Sequence, residues 1–151
     1  MAERDERAIL DRYMGASTSR DLATIRELQH PDYVEEWPQS GERIRGRENW
    51  RALLDNWPGG IENASIDVPH ARIIGQQERW VMTPSFQMIK VSGGASPYTT
   101  VVTARYPDGS TWYVVSIIEL RDEKVSKVTS FFAPVFEAPE WRRSWVEPIA
   151  S

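Results

Sequence analysis

His70 is the side chain best suited by type to moving protons near neutral pH, because an unperturbed imidazole changes charge close to that range. A lone histidine on a strand also fits a purely structural role. Asp67, three residues earlier, alternates to the opposite face of a regular strand, so the two share a site only if a bulge at Pro69 flips the register. Glu119 and Arg121 fall together on one face of a later apolar run and read as interface ions. Arg43, Arg45, Arg47 and Arg51 cluster at the start of an expected helix, either as a solvated entry or as an anion site. The seven tryptophans either fill core or converge on a cavity for a flat, apolar ligand.

Three strands joined by two turns must position these groups. The runs 98–106 and 111–120 are rich in β-branched and aromatic residues, and Pro107-Asp108-Gly109-Ser110 between them has hairpin turn chemistry. A third strand is expected over 125–132. The turn before it has no glycine, so Asp122 must carry any left-handed conformation. In the middle strand Trp112, Val114, Ser116, Ile118 and Leu120 share one face, and Thr111, Tyr113, Val115, Ile117, Glu119 and Arg121 share the other. Both faces are largely apolar, which implies helices over one and a second copy of the chain over the other. Ser116 aims a polar group at the core or a pocket.

Upstream, amphipathic spacing predicts helices over 3–16, 20–29 and 47–57, with Ser19 as the N-cap of the second and Pro31 setting its end. Strands follow at 64–74 and 79–91, where Trp80, Met82, Phe86 and Met88 share a face. Helices first, then strands, is the α+β pattern of a mostly antiparallel, strongly curved sheet wrapped over helices, leaving a conical hollow. The 151 residues make one domain, 1–136, with a tail, 137–151, whose Trp141 and Trp145 lie one helical turn apart and should dock on the domain or on a partner. Zero cysteines and two histidines argue against disulfides and zinc, and no cofactor is expected. The charge of −4 argues against nucleic acid, and the charged start and lack of a long apolar run imply a cytoplasmic protein without membrane contact.

Arg12-Tyr13, Asp21-Leu22, the stretch Pro31-Asp32-Tyr33-Val34-Glu35-Glu36, Gly41 through Gly46-Arg47-Glu48, and the terminal hairpin with Lys124-Val125 follow one another in an order that resembles the nuclear transport factor two-like superfamily. Within it, the chain resembles the SnoaL-like and ketosteroid isomerase-like small-ligand folds. The resemblance implies a cone-shaped, cystatin-like α+β barrel and a homodimer through the outer sheet face. It also implies that Tyr13 stands where the isomerases place an oxyanion donor, and that Trp37 stands where they place the aspartate base. Ser116 matches the second donor. Because an indole cannot abstract a proton, steroid isomerisation by that mechanism is not expected. Other members use a buried acid-base pair, for which Glu35, Asp67, His70 and Glu119 are the candidates here.

The expectation is a small enzyme doing acid-base chemistry of cyclase, isomerase or dehydratase type on an apolar cyclic metabolite, with Tyr13 and His70 catalytic. Tyr13, Trp37, Trp80, Met82, Trp112, Ser116, Ser130 and Phe132 are expected to contact the ligand. The alternative is a non-catalytic ligand-binding or structural dimer.

Overall fold

The computed structural model describes residues 3–63, 65–74 and 97–149. Helix α1 spans Glu3–Ser19 and α2 spans Leu22–Leu28. Strands β1 (Gln29–Trp37) and β2 (Glu42–Arg45) lead into α3 (Arg47–Asp55) and a 3-10 turn at Ile61–Asn63. Strands β3 (Ser65–Ile74), β4 (Tyr98–Arg105), β5 (Thr111–Arg121) and β6 (Lys124–Pro134) complete the sheet, and a second 3-10 turn follows at Glu140–Trp145. The expected strand over 79–91, with Trp80 and Met82, lies outside the described residues.

The six described strands form one sheet in the order β2-β1-β6-β5-β4-β3. Every pairing is antiparallel except β1 with β6, which run parallel. The chain therefore has the expected α+β fold, helices first and a curved sheet after. The central register sets Ser116 opposite both Thr100 and Ser130, and Val114 opposite both Val102 and Phe132. These residues share one face, as the alternation in β5 requires.

The core lies between that face and the first two helices. Leu10, Tyr33 and Val125 are completely buried, and Ile118 is nearly so. Burial of each aliphatic side chain there contributes about 1.5–3 kcal/mol. Tyr98 donates its hydroxyl hydrogen to Glu6 Oε2 at 2.5 Å and so ties β4 to α1 through a buried polar contact.

Local chemistry explains two departures from the expected boundaries. Ser19 does not cap α2. Its hydroxyl bonds back to the Gly15 carbonyl at 2.9 Å, as Ser17 bonds to that of Tyr13 at 2.8 Å, so α1 continues through the serine-threonine run. Arg20 then takes φ +56°, and Asp21 caps α2 by accepting from the Thr24 backbone N–H at 3.1 Å. At the β5–β6 turn both Asp122 (φ 52°) and Glu123 (φ 59°) are left-handed, so the conformation expected of Asp122 extends to its neighbour. Asp122 is held there by His30, whose Nε2–H donates to Oδ2 at 3.2 Å. The His30 Nδ1 accepts from the Asp32 backbone N–H at 3.0 Å and from Arg121 at 3.1 Å, which fixes the ring as a structural brace.

The opposite sheet face carries Tyr113, which is 46% exposed, with Val115 and Ile117 partly buried. Beyond β6, Trp141 and Trp145 are 75% and 79% exposed in the single chain. Their segment is a 3-10 turn rather than the expected helical one.

Candidate active site

A cavity of about 270 Å³ opens between α1, α3 and the inner sheet face. Tyr13 reaches it from α1, and Trp50, Leu53 and Leu54 reach it from α3. Glu35 and Trp37 come from β1, while Val114, Ser116 and Ile118 of β5 and Ser130 and Phe132 of β6 form the sheet wall. Glu35 and Trp37 share a face because they are two residues apart on a strand, and the bulge between Gln29 and Val34 resets the parallel register just before them.

The Glu35 carboxyl is the polar centre of this cavity. Tyr33 donates its hydroxyl hydrogen to Oε2 and Trp37 donates Nε1–H to Oε1, both at 2.9 Å. Burial pushes the Glu35 carboxyl above the usual carboxylate range. Hydrogen bonding from Trp37 and Tyr33 opposes the shift without cancelling it. A carboxyl that is both desolvated and ringed by donors can be held in either protonation state, which a general acid-base group requires.

Tyr13 adjoins this centre. Its phenol is pushed well up by burial and then by the nearby Glu35 charge, so it stays a neutral hydrogen-bond donor. Tyr33, whose hydroxyl bonds to Glu35, acts on it in the opposite direction. Tyr33, itself completely buried, thus stands between the two cavity groups and is raised by burial first and by Glu35 next. Across the cavity Ser116 and Ser130 share a hydrogen bond of 2.8 Å between their hydroxyls. Trp37 meets Phe132 edge-on at 5.6 Å between ring centroids, and Gln39 fastens the same end by accepting from the Phe132 N–H at 2.5 Å.

Among the expected site residues, the structure brings Tyr13, Trp37, Ser116, Ser130 and Phe132 to one cavity. Trp112 is set one layer back. Its indole donates to the Ser110 hydroxyl at 2.9 Å and packs edge-on against Tyr106, which lines the cavity. The backbone of His70 falls in the irregular stretch between Asp67 and Arg72, where the β3–β4 register shifts. Its side chain lies outside the described residues, as do those of Asp67, Trp80 and Met82. Glu119 borders a groove on the outer face with Asp32, Glu36 and Arg121, away from the cavity. The arginines do not act as one cluster: Arg43 pairs with Glu36 at 2.9 Å, Arg51 pairs with Asp55 at 2.9 Å, and Arg47 reaches the Gln29 carbonyl at 3.4 Å. Of the two candidates whose side chains are described, Glu35 and Glu119, Glu35 lines the cavity, and parity with Trp37 was the signal for it.

Among the described residues no group of three or more His, Cys, Asp or Glu side chains converges as a metal site, and no helix is long and apolar enough to cross a membrane.

Residues 10–128 match the family described as the SnoaL-like domain. A solved structure of an NTF2-like protein of unknown function from Burkholderia xenovorans LB400 is 32% identical, with 98% of each chain covered and a TM-score of 0.70. A structure from Kribbella flavida DSM 17836, described as that of a candidate ketosteroid isomerase, is 23% identical over 98% of this chain and 92% of its own, with a TM-score of 0.70. A candidate polyketide cyclase from Xanthomonas campestris pv. campestris is 14% identical over 85% of this chain and 90% of its own, with a TM-score of 0.60. At these lower identities the last two likenesses concern the fold alone. No protein of curated function matches the chain.

Proposed function

The chain belongs to the SnoaL-like domain family, and from that premise we propose that it is an enzyme that moves a proton on an apolar cyclic metabolite, with Glu35 as the acid-base group. One observation carries the reading: a carboxyl raised by burial lines a cavity whose other walls are mostly apolar and aromatic. Glu35, two residues before Trp37, occupies the inward position that the indole cannot serve. In its ionised form it takes a proton from a carbon next to a carbonyl, and in its neutral form it returns that proton to another atom of the ligand. Tyr13 donates a hydrogen bond to the carbonyl oxygen as negative charge develops there. Trp37, Ser116, Ser130 and Phe132 hold the ring system, and the chemistry proposed is of isomerase, cyclase or lyase type without a cofactor.

The reading includes a cytoplasmic homodimer formed through the face of Tyr113, Val115 and Ile117. The exposed Trp141 and Trp145 of the tail dock on the partner. A charged residue at Val115 should shift the species seen by light scattering from dimer to monomer, and a monomeric wild type would remove this part of the proposal.

The acid-base role is tested by incubating the protein in deuterated water with a panel of small cyclic ketones and enones. Wild type should speed deuterium entry next to the carbonyl, and Glu35→Gln should lose that activity while still binding the compounds. Binding without exchange by wild type would leave a non-catalytic ligand carrier, a reading favoured by the fact that both Glu35 oxygens already accept hydrogen bonds from the protein.

A further inference from the structure

Glu35 is the only anion lining the cavity among the described residues, and Arg20 is the only cation. They are held by separate parts of the fold. Glu35 is fixed within β1 by Tyr33 and Trp37, whereas Arg20 sits in the α1–α2 junction and donates one guanidinium N–H to the Glu62 carbonyl in the 3-10 turn after α3. The junction is firmly built: the Leu22 N–H bonds to the Arg20 carbonyl at 2.9 Å, and the Asp21 N–H bonds to the Ala16 carbonyl at 2.9 Å. Arg20 itself takes φ +56°, a conformation that a non-glycine residue adopts at a cost in free energy.

The Glu62 carbonyl uses one of the five donors of the guanidinium. Among the described residues, no carboxylate pairs with Arg20, although Arg7, Arg12, Arg26, Arg43, Arg51 and Arg121 each have one. The same cavity is lined by Leu22, Ile61 and Trp57, the last stacked on Tyr106 at 5.8 Å. A half-buried guanidinium beside apolar and aromatic walls, with most of its fork unused, is a receptor for a planar anion.

We propose that the ligand of this cavity is an apolar ring compound bearing a carboxylate, and that Arg20 anchors the carboxylate while the ring lies against the tryptophans and its reacting end reaches Glu35. The proposal rests on the reading of this cavity as the ligand site and narrows the class of compound that fills it. The anchor separates the two charges of the molecule. The acidic substituent stays at Arg20, and repulsion from Glu35, when that group is ionised, keeps the substituent away from the reacting end and so selects one of the two end-to-end orientations.

The test uses matched pairs of cyclic keto acids and their methyl esters, with affinity read from quenching of tryptophan fluorescence. The wild-type protein should bind each acid about tenfold or more tightly than its ester, because a charge-assisted pair is lost in the ester. Added salt should weaken the acid and spare the ester. Arg20→Met should abolish the preference with ester affinity unchanged, and Arg20→Lys should retain part of it. Ester binding with no preference for the acid overturns the anchor while leaving the ligand site standing, and failure of both compounds to bind overturns the site as well. A preference for the acid without deuterium exchange keeps the anchor and rejects the acid-base role of Glu35. The salt titration on wild type alone decides the matter if either variant fails to fold.

Discussion

Glu35 and Glu36 are joined by one peptide bond, yet the fold sends their acidities in opposite directions. Glu35 points into the cavity, where burial dominates and raises it. Glu36 points to the outer face. Desolvation is the largest single influence on it and acts upward, but the hydrogen bonds and charges of Arg43 and Lys127 together outweigh it and lower the pKa. Arg43 lies 2.9 Å and Lys127 3.4 Å from its oxygens. Strand alternation thus places two identical side chains in different surroundings, one a buried carboxyl with raised pKa and the other an ion paired at the surface.

The largest effect that separates the two faces should appear in turnover. Glu35→Gln removes the proton-carrying group and should reduce catalysed exchange by about 10²–10⁴-fold. Glu36→Gln should leave exchange within about twofold of wild type, since no observed contact connects it to the cavity. Comparable losses in both variants would mean that the two faces are not functionally distinct.

Trp37→Phe sharpens the contrast inside the cavity. Phenylalanine keeps an aromatic body against Phe132 but removes the Nε1–H that bonds Oε1. That bond favours the ionised form, so its loss should raise the apparent pKa that limits activity on the acid side. A hydrogen bond to a charged group contributes about 1.5–3 kcal/mol, equivalent to a shift of about one to two units. A pH–rate profile that keeps its acid limb in place would show that Trp37 does not hold the carboxylate.

The strand pattern that separates these faces was legible in the sequence. The alternation of Trp112, Val114, Ser116 and Ile118 fixes the inner wall of β5, and the long-range register then brings Ser130 and Phe132 beside it. Glu35 was less legible because its importance comes from desolvation, which depends on α1 and α3 closing over it. The residue before Pro38 drew attention to Trp37, and Glu35, two places earlier and one of four acid-base candidates, was not singled out although the same parity points it inward. Asp21 overtook Ser19 as the cap because the Ser19 hydroxyl was already committed to the preceding helix. The two-residue left-handed turn at Asp122 and Glu123 was only half legible, since the His30 brace across the fold that fixes it has no local signature.

Stability against pH should also distinguish the two acids. For Glu35 the folded-state pKa lies above the unfolded one, so its contribution is fully present below the ordinary carboxylate value and is lost as pH rises through the raised value. The stability of Glu35→Gln relative to wild type should therefore rise as pH increases from about 4.3 through the raised value, and stay level on either side of that window. Chemical denaturation across this range provides the measurement, and a constant difference at every pH would rule out the burial argument.

The smallest expected effect belongs to Glu36→Gln. Here the folded-state pKa is lowered, so the stabilisation is present above the unfolded value and is lost as pH falls through the folded one. The side chain is 26% exposed, and its partners Arg43 and Lys127 are 53% and 39% exposed, so solvent and salt screen both ion pairs. The substitution should cost no more than about 1 kcal/mol near neutral pH. Raising the ionic strength to about 1 M, where the screening length is about 3 Å, should erase most of that cost. The pH dependence runs opposite to that of Glu35→Gln, so denaturation curves at two pH values and two salt concentrations distinguish the variants by sign as well as by size. A large, salt-insensitive loss from Glu36→Gln would place its carboxylate in a dry environment and remove the distinction between the two faces of β1.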